Sequence, residues 1–296
     1  MFLRKSMKCP VIKVHDKDMN DAKKEKYLGD ILDSTGTVRQ TIEDRKNRGF
    51  AIVAEILAIL QEIPLGKYKM EIGLKLRQAM LINGILFNSE AWHNINEAEL
   101  KMLESVDEHL LRSLVKAHSK TPLEFLYLEA GAVPIRFIIS SRRLNYLQTI
   151  LKRGDSELTK KIYEAQKNNP SKGDFTELIA ADFALIGEEL DYTAVERCDR
   201  LSYKKFIKSK IKTAALKYLN EKKNTHSKVS SLNYDELKIQ EYLTSPIFSD
   251  EDINILFALR SRYVECRDNF KNRYREDDRQ CQFCMNSSDT QRHMME

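Results

Sequence analysis

Near one end of the chain, Cys281-Gln-Phe-Cys284 is followed nine residues later by His293. Two thiolates on a tight turn and an imidazole a short loop away are three ligands of the type and spacing that suit tetrahedral zinc. A fourth Cys or His would fall three to five residues after His293, at or just past Glu296, so the expected centre is a truncated knuckle built from Cys281, Cys284 and His293. No βαβ pattern surrounds the Cys-x-x-Cys, which argues against a redox pair.

A second chemistry lies in charge. The whole chain carries only +5, yet from Arg197 to Lys223 ten Lys or Arg stand against Asp199 and Glu221, a local +8 that leaves the remainder at −3. Positive charge concentrated in this way suits a polyanion, most often nucleic acid. Tyr203, Ile207, Ile211, Ala214 and Tyr218 fall on one helical face, with Lys204, Lys205, Lys208 and Lys212 beside it. The apolar stripe would dock on the protein while the ammonium groups meet the phosphates of a bound strand.

The elements that position these groups are almost all helical. From Thr37 onward, Val38, Ile42, Arg45, Gly49, Ile52, Val53, Ile56 and Leu60 mark a long amphipathic helix ending at Pro64 and Gly66. A second helix is expected from Tyr68 to Trp92. A third is capped at Asn96 and carries Leu100, Leu103, Val106, Leu110, Leu111 and Leu114 on one face. Thr121-Pro122 opens a further helix that Gly131 closes, and Pro134 opens the next, to about Lys152. The run 168–173 is a loop, after which Phe175 to Ile186, Thr193 to Asn220, Tyr234 to Leu243 and the segment capped by Ser249 read as helices. Before residue 34 the pattern differs: Pro10 to Val14 and Lys26 to Leu32 are short β-prone runs that resemble the edge of a larger sheet, and this end is expected to fray.

The composition agrees. A chain of 296 residues, 42% apolar, is long enough for sizeable cores. No run reaches the roughly 18 apolar residues of a membrane span, and Met1 to Val14 has no signal-peptide core. Five scattered cysteines, an odd number, suit a reducing intracellular compartment, nucleus or cytoplasm. The fold class expected is mainly α: a multi-helix bundle with a short β remnant at 1–33, bundles at 34–118 and 119–275, and a knuckle-like turn at 276–296.

Particular runs also carry a resemblance. Lys26-Tyr-Leu-Gly29, Arg45, Thr121-Pro-Leu-Glu-Phe-Leu-Tyr-Leu-Glu129, Gly131, Pro134-Ile135, Arg142-Arg-Leu-x-Tyr-Leu147 and Cys281-x-x-Cys284 with His293 stand in the order found in reverse transcriptases of non-LTR, LINE-type retrotransposons. The resemblance spans about 270 of the 296 residues. It implies that Lys26 to Gly29 belong to the last palm strands, that Thr37 to about His118 are the thumb and the later helices the linker, and that Cys281, Cys284 and His293 belong to a CCHC zinc knuckle. It also implies an RNA or RNA/DNA hybrid partner, with Arg39, Arg45 and Arg48 on the backbone of the duplex and Lys204, Lys205, Lys208 and Lys212 on phosphates.

The departure from the family concerns catalysis. Its polymerases hold two divalent metals on an Asp pair just before the Tyr-Leu-Gly strand. Here Asp16 and Asp18 flank a Lys, and Asp277-Asp278 matches no palm motif. The expectation is a chain without a magnesium site of its own, at most binding RNA or DNA. Two alternatives stand beside it: a piece of an active RNA-directed DNA polymerase from a truncated gene model, and a domesticated helical scaffold for a protein partner. No glycine-rich phosphate loop or nucleophile elbow is present, and lone helical histidines such as His93, His109 and His118 carry no catalytic constellation.

Overall fold

The structure, a computed structural model, describes residues 13–14, 17–18, 24–27, 29–33, 36–62, 69–93, 95–264, 266, 275, 279–281 and 284–290. It is mainly helical. Two short antiparallel hairpins come first, β1 (Lys13–Val14) with β2 (Lys17–Asp18) and β3 (Lys24–Tyr27) with β4 (Asp30–Asp33). Gly29 turns the second hairpin at φ +89°, a backbone state that costs glycine little. The hairpin is tied to the helical body: Thr41 accepts from the Ile31 amide at 2.8 Å, and Arg45 donates to the Gly29 carbonyl at 2.9 Å.

The helix α1 (Arg39–Glu62) buries Ile42, Val53, Ile56 and Leu60 at the spacing its sequence carries. It lies on α4 (Glu97–Leu114), where Gly49 permits close approach: a Cβ there would sit 2.8 Å from a Val106 methyl. The Asn96 cap of α4 is a complete capping box with Glu99.

The single helix expected from Tyr68 to Trp92 is instead broken. It consists of α2 (Lys69–Leu76), a π-helical turn (Arg77–Ile82), α3 (Asn83–Ile85) and a 3-10 turn (Ser89–Ala91), with Asn88 left-handed at φ 64°. Polar tertiary contacts compete with the regular ladder there: Arg142 donates to the Leu86 carbonyl, and Asn88 to Asp30 at 2.6 Å. Trp92 is buried, as a core anchor should be, although its indole N–H finds no acceptor among the described residues.

Helix α5 (Leu123–Ala130) ends on Gly131 at φ 60°, and α6 (Ile135–Leu151) starts behind Pro134. Around α6 pack α7 (Leu158–Asn168), α8 (Phe175–Leu185), α9 (Tyr192–Arg197) and α10 (Arg200–Lys223). Arg143 forks onto Asp182 at 2.7 and 2.9 Å to join α6 to α8, and Gln148 donates to the carbonyls of Val195 and Cys198 at the end of α9. Asp174, Asp191 and Asp199 cap α8, α9 and α10 through backbone amides.

The expected helix from Tyr234 to Leu243 is absent except for a 3-10 turn at Glu241–Leu243. The chain there runs irregularly against α5, and α11 (Asp250–Ser261), opened by a Ser249–Asp252 capping box, closes over it with Phe257 against Phe125. One apolar core runs from Ile42 to Phe257, across the 118/119 boundary expected between bundles. Among the described residues no helix is long and apolar enough to cross a membrane.

Candidate nucleic-acid interface

Helix α10 sets the basic surface. Its Asp199 cap accepts from Leu201 and Ser202, both at 3.0 Å, and fixes the point from which the helical register runs. Tyr203, Ile207, Ile211, Ala215 and Leu219 are buried at a strict spacing of four. The expected stripe is therefore right through Ile211 and shifts by one afterwards: Ala215 and Leu219 face the core, whereas Ala214 and Tyr218 are half-buried. Tyr203 donates to the Leu144 carbonyl at 3.2 Å, and Tyr218 meets Phe137 edge-on at 5.5 Å between centroids, which seats α10 on α6.

Lys204, Lys205, Lys208 and Lys212 are all exposed, and none forms an ion pair among the described residues. Lys210, in contrast, is paired with Glu188 at 2.5 Å. The four lysines expected to meet phosphate are thus brought onto one helix surface with their charge uncompensated.

The arginines of α1 separate into two kinds. Arg39 is exposed and pairs with Glu43 one turn on, at 3.0 Å; Arg48 is exposed with no ion pair among the described residues. Arg45 is only 2% exposed. Its guanidinium pairs with Asp30 at 3.3 Å and donates to the carbonyls of Gly29 and Gly84. Its assignment to a duplex backbone is corrected: the side chain is an internal brace between hairpin and helix, because a buried charge must be paired where it sits. Its place on the apolar period of α1, between Ile42 and Gly49, was the signal.

Beside Lys208 and Lys212 lies a cleft of about 340 Å³, between the π turn, the Ala130–Val133 corner, α6 and α10. Its rear is fixed by a buried polar cluster that the sequence pattern did not single out. Arg77 forks onto Asp107 with both contacts at 2.6 Å and donates to the Val133 carbonyl at 3.0 Å, while Tyr127 donates to Asp107 at 2.8 Å. Burial pulls the Arg77 guanidinium down, but Asp107 and Tyr127 outweigh it and leave the pKa raised; burial and Asp107 together push the Tyr127 hydroxyl well up. Arg77 therefore stays charged and the Tyr127 hydroxyl protonated. Asp107 next to Val106 and one turn before Leu110 and Leu111, on the buried side of α4, was the available sign of the cluster.

Of the metal-ligating set, Cys281 is buried and Cys284 exposed, and neither is in a disulfide. They share a turn in which the Met285 amide donates to the Cys281 carbonyl at 2.9 Å and the Asn286 amide to the Cys284 sulfur at 3.5 Å. His293 lies outside the described residues, among which no group of three or more metal-ligating side chains occurs. Cys198 is half-buried at the end of α9, and Cys266 is buried.

No protein-family model, curated protein or solved structure matches the chain.

Proposed function

We propose that this chain binds RNA or DNA through α10, and that it is the thumb, linker and knuckle part of a LINE-type reverse transcriptase. The observation that carries the binding reading is the set Lys204, Lys205, Lys208 and Lys212: exposed, on one helix, and without ion pairs among the described residues. Unpaired ammonium groups on a rigid helix release condensed counterions when they meet phosphates, which gives affinity without sequence preference. Arg48 extends the reading to α1, and Arg39 joins it by leaving Glu43. The family assignment rests on the motif order in the sequence. Cys281, Cys284 and His293 would supply a zinc knuckle to the same nucleic acid.

The test is a fluorescence-anisotropy titration of a labelled single strand over a range of salt. Affinity should fall steeply with salt, and replacing all four lysines by Ala should lower the log–log slope by about 3. Affinity indifferent to salt, or a slope unchanged in the quadruple variant, would refute the reading.

A further inference from the structure

The cleft beside Lys208 and Lys212 has features that a basic surface alone does not require. Among the described residues its lining contains no Asp or Glu. Arg77 reaches it but is already neutralised by Asp107, so the charge offered to a ligand is that of the two lysines, which project one turn apart from the same side of α10. The opposite character comes from Leu74, Val133, Ile138 and Ile211, which form an apolar wall, with Gln78 and Ser141 as polar groups beside it. The π turn that starts at Arg77 carries Gln78 at its rim, and π turns inside helices recur at functional sites. Val133 is held by its carbonyl contact to Arg77, so the corner of the wall is formed before any ligand arrives.

We infer that this cleft takes one unstacked nucleotide of a bound single strand, its phosphate on Lys208 and Lys212 and its base against the wall of Leu74, Val133, Ile138 and Ile211. The inference rests on the nucleic-acid reading above and narrows it to a single-stranded, base-contacting mode. About 340 Å³ lies at the low end of ligand pockets, enough for one base and too small for a paired duplex. An apolar wall next to two cations suits a ligand with a flat apolar face and an adjacent anion. A nucleotide has both, whereas an acidic peptide side chain would satisfy the lysines and leave the wall uncovered. Lys204 and Lys205, one turn earlier, then hold the neighbouring phosphates.

The experiment compares, at one fixed salt concentration, a ten-residue oligothymidylate with a strand of the same length whose bases are absent, both titrated into the full chain. The strand with bases should bind about fivefold tighter or more. S141F and Q78W, which fill the cleft without touching its charge, should each erase the difference while leaving the salt slope intact; Gln78 is exposed, so Q78W keeps the test open if S141F melts early. K208A/K212A should lower affinity more than K204A/K205A. Equal affinity for the two strands, or a base preference surviving both filling variants, would overturn the cleft and leave the phosphate reading standing. Failure of both strands to bind would overturn both, and a decaglutamate that competes as well as oligothymidylate would make the cleft a site for acidic peptide.

Discussion

A guanidinium enclosed by protein must be neutralised, and Arg45 is neutralised by Asp30 while its two terminal nitrogens donate to the Gly29 and Gly84 carbonyls; its Nε finds no acceptor among the described residues. Truncating it leaves the Asp30 carboxylate without its cation and with only the Asn88 amide donating to it, a loss of the kind that costs up to about 3–5 kcal/mol when a buried pair is broken. R45A should therefore lower the melting temperature and weaken the hold of α1 on the β3–β4 hairpin. R39A and R48A remove exposed side chains, so they should leave stability unchanged and act only on nucleic-acid affinity. Parallel thermal melts and anisotropy titrations of the three variants separate the roles, and equal loss of stability in all three would contradict the division. The helix caps give a pH prediction of the same scale. Bonds from Ser171, Thr176 and Glu177 hold Asp174 below its usual carboxylate value, against a desolvation that pushes it up. A carboxylate with a depressed folded pKa contributes stability above its unfolded value, about 3.9, and loses it as pH falls through the folded value. Asp252 and Asp199 are lowered by their cap contacts in the same sense. D174N keeps a competent cap, so melts between pH 6 and 3 should show neutral-pH stability retained and a smaller acid-side fall.

At the scale of elements, Gly131 and Glu129 explain why the stretch from Tyr234 to Leu243 gave up a helix. A Cβ on Gly131 would lie 2.2 Å from the backbone of Lys238 and Ile239, so this stretch passes directly over the left-handed end of α5. Glu129, 1% exposed, accepts from Tyr234, from Tyr242 at 2.6 Å and from Arg260 at 2.8 Å, and its carbonyl accepts from the Gln240 amide. One carboxylate thus fastens α5, the irregular stretch and α11, and those contacts outweigh a local helical period. E129A leaves two tyrosine hydroxyls and a guanidinium without their acceptor, and G131A forces the overlying backbone away. Each should expose the stretch from Asn224 to Ser245 to limited proteolysis while α1 and α4 stay protected; unchanged cleavage in both variants would refute the fastening role. Legibility in the sequence divides in the same way, between local and distant causes. Caps at Asn96 and Ser249, the Gly131 stop and the stripes of α1 and α4 are local, and they stand where the residues placed them, whereas the helix expected from Thr193 to Asn220 is broken at Cys198 and restarted by the Asp199 cap. The π turn at Arg77–Ile82, the unwound Tyr234–Leu243 and the cleft are set by partners tens of residues away. The lysines of the interface were legible from composition; the wall that accompanies two of them was not, because Leu74, Val133 and Ile211 belong to three different parts of the chain.

At the scale of the whole molecule, the positive charge is gathered on α10 while the remaining residues are slightly acidic, so an approaching polyanion is directed to one helix. That arrangement requires α10 to be held rigidly relative to α1 and α4, and the continuous core provides the coupling. The Arg77–Asp107–Tyr127 cluster sits at the crossing, since it joins the π turn and α4 on one side of residue 118 to α5 and the Val133 carbonyl on the other. Two bundles meeting at a polar, hydrated seam would unfold in two steps. A shared apolar core with a buried ion pair in its middle should unfold in one. D107A removes the partner of an enclosed guanidinium and should cost about 3–5 kcal/mol. Because the cluster belongs to both halves, the loss should appear as a single transition displaced to lower temperature, with helical signal and tyrosine fluorescence moving together. A scan in which D107A splits the transition, leaving one half at the original temperature, would show that 34–118 and 119–275 are separate units and that the base-contacting cleft lies on a seam between them.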